Sequence, residues 1–118
     1  MAHTYKNLKV WDKAHQLVLE IYERTKDLPS SEKYGLVSQI RRSAISIAAN
    51  IVEGYKRKTE KDFSHFLNMS NTSLEETKYY LLLMNDLGFL KSQDFKKLSI
   101  RTDEIGRMLY CFQKRLKA

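Results

Sequence analysis

Proline occurs once in this chain of 118 residues, and glycine four times. Both residues punctuate regular structure, so their scarcity points to long helices rather than a fold built from many turns. Cysteine also occurs once, at Cys111. An internal disulfide is therefore excluded, and a reducing cytoplasm is the expected location. No apolar run reaches the roughly 18 residues that a membrane span needs. The first six residues, Met1-Ala2-His3-Thr4-Tyr5-Lys6, lack the apolar core of a signal segment.

The signatures of catalysis are missing as well. His3, His15 and His65 are scattered without metal-ligand spacing. No glutamate is followed three residues later by histidine, the pair that di-iron bundles need. Glu75 and Glu76 are adjacent, so on a helix their carboxylates point to different faces. No glycine loop is suited to cradling phosphate. Cys111 has Lys114 and Arg115 nearby but no histidine, which leaves a buried or inert thiol as the expectation. The expectation is a protein that is no enzyme and holds no metal or cofactor.

Apolar residues make up 42% of the chain, enough for one core, and the length suits one domain spanning residues 1–118. Four stretches carry the three-four spacing of amphipathic helices, at about 8–27, 32–56, 60–87 and 93–117. Trp11, Ala14, Val18, Ile21 and Thr25 mark the first stripe, which Leu28-Pro29 ends. Ser30 or Ser31 is placed to cap the second helix. Val37, Ile40, Ala44, Ile47 and Ile51 form its seam, and Gly54 lies where a C-terminal cap belongs. Thr59 is the expected N-cap of the third helix, with Glu60 and Asp62 favourable in its first turn. Phe63, Leu67, Leu74, Leu81 and Met84 line its core side, and Gly88 follows as a cap. Ser92 is placed to cap the fourth, whose stripe includes Leu98, Ile105, Leu109 and Leu116. Connections of about two to five residues make sequential helices antiparallel, so the expected fold is an all-α, up-down-up-down four-helix bundle.

The second helix carries the least ordinary pattern. Opposite its seam stand Gln39, Arg42, Ser43, Ser46, Asn50 and Glu53, where lysine and glutamate would dominate an ordinary solvated face. Serine and asparagine are poor helix formers, so their clustering indicates close packing by another surface. Two readings stay open: polar groups that fix register, or a ligand or nucleic-acid surface. Antiparallel pairing about a turn near residues 57–60 sets Arg42 opposite Glu75 and Glu76, predicting an interhelical ion pair. The same register places Asn50 opposite Leu67 and Asn68, and Glu53 near Ser64 and His65. Arg41 projects from the apolar arc, either snorkelling past the core edge or pairing at a subunit contact.

The net charge is +7, with a pI near 9.5, a balance that favours polyanions. Lys56, Arg57, Lys58 and Lys61 cluster at the turn between the second and third helices. Lys96, Arg107 and Lys114 lie on the fourth helix opposite its core face, in a segment from Lys96 onward with seven basic and two acidic residues. These are the candidate phosphate contacts, with Tyr55 placed to stack on an unpaired base. Around Tyr79 to Met84 the third helix is apolar on every side, which favours a homo-oligomer over a monomer.

The stretch from Tyr34-Gly35-Leu36 through Gln39-Ile40-Arg41-Arg42 to Asn50-Ile51-Val52-Glu53-Gly54 resembles the 23S ribosomal RNA intervening-sequence proteins, also called bacterial four-helix bundle proteins. Leu8, Val10, Trp11, Ala14, Pro29, Glu32, Phe63, Phe66, Leu67 and the Ser73-x-x-Glu76 step are similar too, so the likeness runs from Leu8 to Leu116. The resemblance implies a bundle assembling into a ring-like homo-oligomer, a pentamer. In some bacteria such genes lie within 23S ribosomal RNA genes. A related branch, the accessory protein of diversity-generating retroelements, partners a reverse transcriptase and binds nucleic acid. The expectation is a non-enzymatic oligomer that contacts structured RNA through Lys56, Arg57, Lys58, Lys61, Lys96, Arg107 and Lys114. The polar set Gln39, Arg41, Arg42, Ser46, Asn50, Glu53 and Glu76 would be interface or structural. The other reading is a protein–protein scaffold with no direct nucleic-acid role.

Overall fold

A computed structural model describes residues 4–116. His3 and the expected helix end at Lys117 lie outside these residues. Four α-helices account for most of the rest, with no strand among the described residues: α1 (Lys9–Thr25), α2 (Ser38–Tyr55), α3 (Glu60–Asp86) and α4 (Ser92–Arg115). A single 3₁₀ turn, Tyr5–Asn7, leads into α1.

The apolar stripes meet in one core. Ala14, Leu17 and Ile21 of α1, Ile40, Ala44, Ile47 and Ile51 of α2, Leu67, Leu74 and Leu81 of α3, and Leu98, Ile105 and Leu109 of α4 are all at most 1% exposed. Burying each leucine or isoleucine among them is worth roughly 1.5–3 kcal/mol, which is why three-four spacing dominates the folding of this chain.

The helix ends obey their own chemistry. The Thr59 hydroxyl accepts from the Asp62 amide at 3.1 Å, so the first turn of α3 is capped as the sequence predicts. At the other end Gly88 adopts φ +82°, and the amides of Gly88 and Phe89 donate to the carbonyls of Asn85 and Met84. That left-handed residue is what a glycine supplies without a steric cost.

Four local expectations are corrected. The second helix does not run straight from Glu32. A 3₁₀ turn, Ser30–Glu32, and a π-helical stretch, Lys33–Val37, kinked at Gly35, precede α2. Neither Ser30 nor Ser31 caps α2: both lie inside the 3₁₀ turn that Pro29 precedes, and Val37 takes the cap position of α2 without a side-chain bond. Ser92 is the first residue of α4, and Lys91 takes the cap position without a side-chain bond.

Gly54 is the fourth correction. It lies inside α2, one residue before the helix ends, and it is buried. A Cβ there would stand 2.8 Å from both Phe66 Cβ and Phe63 Cδ1. This glycine lets α3 approach α2, and it caps nothing. Gly106 contrasts with it. A Cβ there would meet only the tip of Leu74, at 3.4 Å. Gly106→Ala should therefore stabilise the fold by about 0.5–1 kcal/mol through helix propensity alone, read as a raised melting temperature.

Candidate nucleic-acid interface

The helix-two stripe divides once α3 is in place. Ser43 is fully buried and shares a 2.8 Å hydrogen bond with Thr77, while Ser73 donates to Ser46 at 2.9 Å. Ser70 donates to the Ile47 carbonyl at 2.7 Å. These short side chains permit the closest packing in the molecule, and α2 and α3 contact each other more extensively than any other two helices. Pairing proceeds in opposite chain directions along the two helices, as Arg42 with Glu76 and Ile47 with Ser70 show.

The outer half of the stripe stays at the surface. Arg42 Nη2 donates to Glu76 Oε2 at 2.6 Å, and Gln39 Oε1 accepts from the same guanidinium at 3.1 Å. The expected arginine–glutamate bridge is therefore present. Tyr80 also donates to Glu76, at 2.9 Å, and that bond holds the phenol pKa above its ordinary value. With side-chain exposures of 54% and 36%, the Arg42–Glu76 pair is worth less than about 1 kcal/mol. Arg42→Ala should accordingly shift a denaturation midpoint only slightly, whereas loss of several kcal/mol would mark a structural keystone.

Two members of the stripe bond along their own chain rather than across to α3. Asn50 donates to the Ser46 carbonyl and hydroxyl, one turn back on α2. Glu53 is bridged by Arg57, 3.3 Å away in the turn that follows α2. Arg41 reaches α1 within the same chain: its Nε donates to Thr25 Oγ1 at 3.0 Å and its guanidinium lies 4.2 Å over the Tyr22 ring. Its stem passes the core edge, and a hydroxyl and an aromatic face hold its charged head.

The basic candidates separate differently. Lys56, Arg57 and Lys58 are exposed on the α2–α3 turn, and Lys61 is exposed in the first turn of α3. Phe63 stacks edge-on against Phe112 at 5.2 Å, and Gln113 donates to the Ser64 carbonyl at 3.1 Å, so the end of α4 lies beside the start of α3. Lys114 is thereby brought to the same end of the molecule. Three cations that the sequence reading passed over join it. Lys9 and Arg115 line a shared groove of about 370 Å³ with Asn7, Leu8 and Phe112, and Lys6 precedes them.

Eight cations (Lys6, Lys9, Lys56, Arg57, Lys58, Lys61, Lys114 and Arg115) and four carboxylates (Asp12, Glu53, Glu60 and Asp62) occupy this end. The rest of residues 4–116 carries twelve cations and ten carboxylates. Most of the excess charge therefore sits at one pole. Lys96 does not join the pole. It stands near the start of α4, 18 residues or about 27 Å of helix from Lys114. Arg107 lies about 10 Å from Lys114 along α4, on the flank facing α3.

Aromatic packing supports the pole. Arg57 lies 4.5 Å over Phe66, Arg115 lies 5.6 Å over Phe112, and Tyr55 stands edge-on to Phe63 at 6.2 Å. His15 stacks on Trp11 and His65 abuts Phe66. No group of three or more His, Cys, Asp or Glu side chains could hold a metal ion among the described residues. No described helix is long and apolar enough to cross a membrane.

Known proteins share this arrangement of helices. A protein of unknown function from the S23 ribosomal protein family of Bacteroides thetaiotaomicron VPI-5482, solved by crystallography, is 26% identical in sequence. The match covers 89% of this chain and 98% of that one, with a TM-score of 0.80. Among curated proteins, none matches. The family model described as 23S rRNA-intervening sequence protein matches residues 6–111, from the turn before α1 to the exposed Cys111 of α4. By that match over nearly its whole length, the chain belongs to the 23S rRNA-intervening sequence protein family.

Proposed function

We propose that this protein is a non-enzymatic binding protein for structured RNA. In this reading its helices form an up-down-up-down bundle, and its copies assemble into a ring-like homo-oligomer, a pentamer. The observation that carries the reading is the pole, where cations from three separated segments gather in a local excess of four. Such an array neutralises phosphates without a built pocket, and repetition around a ring multiplies the contacts. The family's name, which refers to 23S ribosomal RNA, agrees with an RNA partner.

Anisotropy of a labelled RNA hairpin tests this. Affinity should fall steeply, by about 100-fold or more, between about 50 and about 200 mM salt if four or more phosphates are engaged. No binding at the lower salt would remove the RNA reading.

A second reading, a protein–protein scaffold, rests on uncovered apolar side chains: Ile45, Met69, Tyr79, Leu82 and Leu87 are 41–58% exposed. A stoichiometric protein partner whose capture survives nuclease would favour it.

A further inference from the structure

We propose that the basic pole grips the sugar–phosphate backbone of a double helix across its width, without stacking on bases. The inference rests on the RNA-binding reading and narrows it to the duplex parts of a folded RNA. Two observations on the pole carry it.

The first is the shape of the array. Its cations come from the start of α1, the α2–α3 turn and the end of α4, so they spread over an end face about 23 Å across. A single strand is normally tracked by a linear groove that follows one row of phosphates. A duplex presents two rows separated by its grooves, the minor groove of A-form RNA being wide and shallow. An end face of this width spans both rows.

The second is the state of the rings beneath the cations. Tyr5, Trp11, Tyr55, Phe63, Phe66 and Phe112 are all half-buried, and their faces and edges are taken up by one another, by His15 and by guanidinium groups. Stacking platforms for single strands require open aromatic faces. The sequence suggested Tyr55 for that task, yet its ring is set against Phe63 at an interplanar angle of 89°. His65 and Tyr110 are the exposed rings near this end: His65 meets Phe66 edge-on, and the Lys114 ammonium lies 5.7 Å from the centre of the Tyr110 ring.

The test compares a blunt RNA duplex with an unstructured polyuridine strand carrying the same number of phosphates, both titrated by anisotropy with the full chain. The duplex should bind about tenfold tighter and show the steeper dependence on salt. Tyr55→Leu and His65→Gln should each leave both affinities within about twofold, since stacking worth 1–3 kcal/mol per base is not being lost. Equal or tighter binding of the strand would overturn the duplex inference while leaving RNA binding intact. A tenfold loss of strand affinity in His65→Gln, a surface change that spares the core, would overturn it as well. Binding of neither probe would instead defeat the underlying RNA reading.

Discussion

Gly54→Ala will lower the melting temperature by roughly 5–10 °C, although alanine is the better helix former. The added methyl would stand 2.8 Å from Phe66 Cβ, an atom fixed to the backbone of α3, and cannot be accommodated by turning a side-chain tip. Either the helices separate or Phe63 and Phe66 leave their rotamers. Overpacking of this kind costs about 1–3 kcal/mol, while the propensity gain returns only about 1 kcal/mol. The neighbouring hydroxyl contacts, Ser46 with Ser73 and Ser70 with the Ile47 carbonyl, depend on the same close approach and should weaken together. Thermal denaturation of Gly54→Ala beside Gly106→Ala is the direct check. Both replace a helical glycine, and only the first should destabilise. An unchanged melting temperature in Gly54→Ala would mean that the α2–α3 contact is softer than these distances imply.

The second large effect concerns assembly. Tyr79 and Leu82 are 58% and 44% exposed on α3, while Leu81 between them is in the core at 1%. Exposed aromatic and leucine side chains on one helix are a reason for copies of a chain to associate. Sedimentation of the native protein should give about 70 kDa for five copies of a 13.9 kDa chain. The double substitution Tyr79→Glu, Leu82→Glu should reduce it to the mass of one chain, with helical content retained. A native mass of one chain would remove the pentamer. An oligomer indifferent to both changes would move the contact to another face, such as the outer half of the α2 stripe.

Most of the fold was legible because three-four spacing and helix caps are local signals. The stripes of Leu17, Ile47, Leu74 and Ile105 each read correctly within one helix, as did Thr59 and Gly88 at helix ends. What failed needed a second helix to interpret. Gly54 looks like a cap from its place in the sequence, and its actual role depends on Phe63 and Phe66. Arg41 finds Thr25 sixteen residues away, across the α1–α2 contact, and no periodicity within α2 reveals that. The register of α2 against α3 agrees with Ile47 opposite Ser70, yet Asn50 and Glu53 take bonding partners four residues away along their own chain, a choice that register alone does not reveal.

The candidate interface shows the same limit. The turn cluster is contiguous and therefore visible, whereas Lys6, Lys9 and Arg115 are separated from it by some fifty residues. The signal that could have found them was the meeting of helix ends: the end of α4 lies beside the starts of α1 and α3. Lys96 and Lys114 share a helix face, but the 18 residues between them, about 27 Å along the axis of α4, keep Lys96 away from the pole.

The measurement that most directly tests the pole is a comparison of two variants with equal charge loss. One carries Lys56→Gln, Arg57→Gln, Lys58→Gln and Lys61→Gln at the pole. The other carries Lys33→Gln, Lys91→Gln, Lys96→Gln and Lys97→Gln, distributed on the segments at the opposite end. Both are titrated against the same RNA hairpin over a range of salt. The pole variant should lose about three to four from the slope of log affinity against log salt, and the opposite-end variant should stay close to the native slope. Equal losses in both would show that RNA responds only to the overall charge of the protein, and would contradict a basic pole as the binding surface.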